Sequence, residues 1–153
     1  MSMQELTEAL NIIAENRSRG FFAGPRDPAL IMSAEAVLGR PLPPEYRGFV
    51  LRLGAGSFGA CEIYGVTNAN FENGKIPNGI WLTLKQRRAK RLPDNFIVIG
   101  DTGDGDYYCI ELQEGKEGRI VVYQPGIPSE KQQLEEVSRD FGAFLLSRVR
   151  EQL

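Results

Sequence analysis

The stretch from Leu42 to Gly59 constrains the fold more than any other part of the chain. It reads Leu-Pro-Pro-Glu-Tyr-Arg-Gly-Phe-Val-Leu-Arg-Leu-Gly-Ala-Gly-Ser-Phe-Gly. Pro43 and Pro44 hold φ near the helical value and need no amide partner in a first turn. Tyr46, Phe49, Val50 and Leu53 then recur at i, i+3, i+4 and i+7, which is one apolar stripe. Gly54 follows where a helix end calls for a residue without Cβ. The segment is therefore a short helix with a fixed start and stop, and one face of it must be buried.

Two further helices precede it. Ser2 and Glu5 have capping-box spacing; Leu6, Leu10 and Ile13 form the stripe, and Arg17, Arg19 and Gly20 close it. Phe21 to Arg26 reads as a loop with two exposed aromatics. Asp27-Pro28 is an N-cap and first helical residue, Ile31, Ala34 and Leu38 line one face, and Gly39 ends the helix. From Phe58 to Val66 the pattern becomes strand-like, and residues 67–79, rich in Asn and Gly, read as loop. Gly79 to Arg91 is ambiguous, because Ile80, Leu82 and Leu84 alternate while Lys85 to Arg91 suits a helix end. Asn95–Gly100, Asp106–Gln113 and Arg119–Gln124 are strands joined by short Gly-rich turns at Asp101–Gly105 and Glu114–Gly118, hence an antiparallel meander. A last helix is expected from about Ser138, with Phe141, Phe144, Leu145 and Val149 inward. The expected class is α+β: an antiparallel twisted sheet of about four to six strands, with helices packed mainly on one side.

A chain of 153 residues is expected to be a single domain, 1–153. It is long enough to build a core without metal or disulfide. The net charge of −2 argues against a nucleic-acid module, which carries a basic excess. Histidine is absent altogether. That removes the commonest general base, the Ser-His and Cys-His pairings, and nearly every catalytic zinc site. Cys61 and Cys109 lack CxxC spacing and read as small buried hydrophobes in a reducing compartment; a bridge between them requires neighbouring strands. No basic region followed by an apolar run marks export, and no apolar segment is long enough for a membrane span. A cytoplasmic protein is expected.

Four patterns look chemical. Gly54-Ala-Gly-Ser-Phe-Gly59 matches G-x-G-x-x-G, but it leaves a helix and enters a strand, the reverse of a dinucleotide fingerprint, and kinase elements are absent. It reads as a helix stop and tight turn. Asp101-Thr102-Gly103 after Ile97-Val98-Ile99 resembles an aspartic-protease triplet, and a homodimer could supply a second Asp. Those folds are nearly all β, and Asp104 adds a like charge that upsets the shared-proton pair. Asp101, Asp104 and Asp106 do not match a calcium loop, because position 103 is Gly. They read as a solvated hairpin turn or as an acidic protrusion that docks a basic partner. Lys85, Arg87, Arg88, Lys90 and Arg91 put five cations in seven residues, without the interleaved aromatics of a nucleic-acid surface, and read as a solvated helix face. Trp81, the single tryptophan, is core, a pocket wall or an interface anchor.

Several motifs together resemble the SUKH superfamily, in the branch named for the yeast Smi/Knr cell-wall regulators. They are Leu42-Pro43-x-x-Tyr46-x-x-Phe49, the Gly54–Gly59 turn leading to Ile63-Tyr64-Gly65, Ile97-x-Ile99-Gly100-Asp101 with Gly105-Asp106-x-Tyr108, and Phe141-x-x-Phe144-Leu145. They cover roughly residues 27–147 in the family's order. Where many members carry Asn-Gly-Gly at the turn, this chain has Leu53-Gly54-Ala55-Gly56, which keeps the cap without the Asn. The resemblance implies an α+β fold without catalytic residues. It implies immunity proteins that neutralise toxins of bacterial polymorphic and contact-dependent systems, many of them nucleases, or eukaryotic regulatory scaffolds. The expectation is a non-catalytic domain without cofactor or metal, binding a protein partner through Glu62, Trp81, Asp101, Asp104, Asp106 and Tyr107. The rival readings are a regulatory scaffold binding a host protein, a carboxylate hydrolase built on Asp101, and nucleic-acid binding through Lys85–Arg91.

Overall fold

A computed structural model describes residues 2–114 and 117–153. The side chain of Ser2, and so its capping pair with Glu5, lies outside the described residues, as does the middle of the Glu114–Gly118 turn. The helices are α1 (Ser2–Glu15), α2 (Pro28–Leu38), α3 (Pro44–Leu53), α4 (Gly79–Lys90) and α5 (Phe141–Glu151). The strands are β1 (Gly20–Phe22), β2 (Gly56–Phe58), β3 (Cys61–Ile63), β4 (Phe96–Asp101), β5 (Tyr107–Glu111), β6 (Arg119–Tyr123) and β7 (Glu135–Ser138). They form two antiparallel sheets, β1-β2-β3 and β4-β5-β6-β7. The class is α+β, as the pattern required.

Helix starts follow the capping chemistry. Asp27 accepts from Ala29 N at 2.8 Å with Pro28 in the first helical position, and Gly39 closes α2 with φ 78°. Asn78 Oδ1 accepts from the amides of both Ile80 and Trp81 at 3.1 Å and so settles the ambiguous stretch as α4. The last helix is capped by Asp140, whose Oδ1 accepts from Ala143 N at 2.9 Å. It begins after Ser138 rather than at it, because residues Glu135–Ser138 pair with β6 as a further strand. The loop expected from Phe21 opens instead with the end of β1, and Phe58–Val66 holds the last residue of β2 and the whole of β3.

The core lies between the helices and the larger sheet. Leu6, Leu10 and Ile13 of α1 join Phe141, Leu145 and Val149 of α5, all buried. Tyr46 and Phe49 meet Phe141 edge-on at 5.2 and 5.5 Å between ring centroids. Such pairs add about 0.5–1.5 kcal/mol beyond the area they bury. Ion pairs flank this seam: Arg150 of α5 meets Glu8 of α1 at 2.5 Å, and Arg139, just before α5, meets Glu5.

The two faces of the larger sheet differ in what covers them. Ile97, Ile99, Ile110 and Ile120 join the main core. Phe96, Val98, Cys109, Val121 and Tyr123 form a second cluster with Tyr64, Leu82 and Leu92. Between the clusters, the outer edge of β4 is closed by other parts of the chain. Thr83 Oγ1 accepts from Val98 N at 2.9 Å, and Tyr64 N donates to Ile99 O at 2.8 Å. Capping an edge in this way hides backbone groups that would otherwise recruit another strand. It also brings the residue after β3 and the first turns of α4 against the middle of β4, at Ile99 and Val98. Cys61 and Cys109 are free and buried, on strands of different sheets.

Candidate protein-interaction face

In β3, Cys61 and Ile63 point inward and Glu62 outward. Tyr64, the residue after β3, is buried in the second cluster, whereas Cys61 and Ile63 join the main core. Its backbone is held at both ends: its N–H reaches Ile99 O, and its carbonyl accepts from the buried Tyr46 hydroxyl at 2.7 Å. Burial pushes the Tyr64 phenol up to about 12, reinforced by the negative charges of Glu62 and Asp101 and by Tyr107 close by. The backbone brings the same residues side by side: a Cβ on Gly100, next to Asp101, would lie 3.3 Å from the Glu62 carbonyl.

Asp101 and Tyr107 stand opposite one another in the β4–β5 ladder. The turn between them is built by its own residues. Asp101 Oδ1 accepts from Gly103 N, Thr102 N donates to Asp106 O at 3.0 Å, and Asp104 N donates to Thr102 Oγ1 at 3.3 Å. Gly103 and Gly105 take φ of 94° and 91°, values that side chains resist. Tyr107 is raised by burial and then by Asp101, and Gln86 Nε2 of α4 reaches its hydroxyl at 3.5 Å. Trp81 packs half-buried on the second cluster, with Lys85 Nζ 5.1 Å from its ring centroid.

Of the residues singled out from sequence, Glu62, Asp101 and Tyr107 converge. Trp81 lies against the same cluster as Tyr107, whereas Asp104 and Asp106 remain on the turn. Among the described residues, none of these four carboxylates is in an ion pair. Tyr64 and Gln86 were missed. Gln86 had no available signal.

The remaining motifs are occupied structurally. Gly54 N donates to Val50 O and Gly59 N to Arg19 O, while Gly54, Ala55 and Gly56 are buried. This leaves the glycine run closed against its own chain instead of opening toward a phosphate. A Cβ on Gly65 would lie 1.9 Å from Gly54 O, so the turn is seated directly on the chain beyond β3. Arg87 turns back to Leu38 O at 2.9 Å and Asp94 O at 2.8 Å, while Lys85, Arg88, Lys90 and Arg91 are exposed. Burial pushes both thiols up, Cys61 with some relief from Arg148, which disfavours the thiolate a nucleophile needs. What the face offers is an exposed negative rim beside aromatic surface, suited to capturing a cationic partner.

A family model for SMI1-KNR4 cell-wall proteins, SUKH_5, matches residues 3–150. No curated protein matches the chain. No helix among the described residues is long and apolar enough to cross a membrane.

Proposed function

Because the chain belongs to the SMI1-KNR4 family of SUKH proteins, whose members are in general non-catalytic immunity or regulatory domains, we propose that it is an immunity protein. In this reading it binds a bacterial toxin domain and occludes it without turning over any substrate. It acts in a reducing compartment, the cytoplasm, where its two buried thiols stay free.

The observation that carries this reading is that the end of β3 sets Glu62 against Gly100, the neighbour of Asp101, with no cation paired to either carboxylate among the described residues. Carboxylates kept near one another cost repulsion unless something offsets it. A basic partner supplies that offset, and nuclease toxins tend to be cationic. Opposite charge then speeds encounter, while Trp81 and Tyr107 supply amphipathic contact area at the centre. Asp104 and Asp106 extend the negative rim along the turn.

The test is co-expression with the product of the neighbouring gene, scoring growth and co-purification. Rescue together with a stable stoichiometric complex supports occlusion. Rescue without a complex, or a complex unaffected by charge neutralisation at Glu62 and Asp101, contradicts it.

A further inference from the structure

A groove of about 450 Å³ runs between α1, β1 and the end of α3. Leu10, Ile13, Phe22 and Leu53 supply its apolar surface, and Arg17 and Arg52 stand exposed on its rim. Neither guanidinium has a hydrogen bond or ion pair among the described residues. By contrast, Arg19, Arg26 and Arg87 are spent on backbone carbonyls. Beside the groove, β1 is the terminal strand of its sheet and pairs only with β2. Phe22 turns into the core, edge-on to Phe49 at 6.3 Å. Phe21, on the other face of β1, is 80% exposed, the most exposed large apolar side chain described.

An open strand edge, an apolar groove on one side of it and a bare aromatic on the other are the parts of a strand-addition site. We propose that this is a second docking surface, which takes an extended segment of a protein partner that is apolar at its centre and acidic at its ends. The segment lies along β1. Its central apolar side chains cover the groove floor on one face and Phe21 on the other, and its groove-facing terminal carboxylates meet Arg17 and Arg52 at the rim. Charge selects this occupant. Two unpaired guanidinium groups on a chain of net charge −2 attract acid locally, and the planar fork of Arg pairs carboxylates two at a time. A second copy of the chain on the same edge would instead set these arginines against their counterparts.

The experiment uses the full chain and a blocked, fluorescently labelled eight-residue peptide with four central valines flanked by glutamates, beside the same peptide with lysine for glutamate. The glutamate peptide is expected to bind at least about tenfold tighter than the lysine peptide, a preference that falls with salt. R17E/R52E should abolish that preference, and F21S should weaken binding several-fold; both sites are exposed, so circular dichroism should be unchanged. E62Q/D101N should leave peptide binding intact, which separates this surface from the face described above. Equal binding of the two peptides, indifference to R17E/R52E, or Phe21-dependent self-association in place of peptide binding overturns the proposal.

Discussion

The hydroxyl of Tyr46 in α3 donates to the carbonyl of Tyr64 at 2.7 Å, and both residues are buried. The bond ties the helix with the most strongly marked ends to the residue that joins the end of β3 to β4. Tyr46→Phe keeps the ring and its edge-on contact with Phe141 while leaving the Tyr64 carbonyl without that donor. A loss of about 1–3 kcal/mol is expected, the usual penalty for an orphaned buried acceptor, read as a lower urea midpoint at unchanged slope.

The seat between Gly65 and Gly54 tolerates no side chain. An alanine Cβ at Gly65 would fall 1.9 Å from a backbone oxygen that cannot swing aside. Gly65→Ala should cost about 3 kcal/mol or more. Gly126→Ala, with nothing within 4 Å of its new Cβ, should stay within about 0.5 kcal/mol of the parent. Thermal melts of the pair check both.

Much of this architecture was legible because its signals are local. Asp27, Pro28 and Gly39 bracket α2, the two prolines and Gly54 bracket α3, and the Gly-rich Asp101–Gly105 turn sets the β4–β5 pairing. Strands β1 and β7 were missed for a physical reason. They are three and four residues long, and they exist through pairing with distant segments rather than through their own periodicity. Helix α4 was ambiguous because Ile80 and Leu84 serve the main core while Trp81 and Leu82 serve the second cluster. An apolar stripe on two sides has no clean helical period. Asp101 and Tyr107 could be nominated from the turn. That Glu62 meets them depends on β3 ending beside β4, a juxtaposition of two sheets that no short window of sequence encodes.

Alkaline pH should unfold the protein early. An unfolded tyrosine ionises near 10, whereas Tyr64 is pushed up to about 12, so between these values the unfolded chain has lost a proton that the folded chain retains. Stability is therefore complete below the unfolded value and falls as pH rises toward the folded one. Tyr46 and Cys109, both raised by burial, act in the same sense. Urea midpoints should decline from about pH 9 upward, and tyrosinate absorbance should show late-titrating groups. Burial is the larger cause of the Tyr64 shift and Glu62 and Asp101 add to it, so E62Q and D101N should each lower its titration only part of the way.

Neutralising the acidic face should alter association without altering the fold. Asp101→Asn keeps an oxygen for Gly103 N, and Glu62 is exposed, so each variant should retain stability within about 0.5 kcal/mol. Their effect should appear in the association rate and its salt dependence, as expected for charges that steer encounter.

The most direct measurement is stopped-flow association of the purified chain with its co-purifying toxin, for the parent and E62Q/D101N, across a range of salt. The account predicts that the parent associates at least about tenfold faster at low salt and that the two converge as salt rises. Identical rates at every ionic strength, or consumption of a substrate by the chain alone, would contradict it.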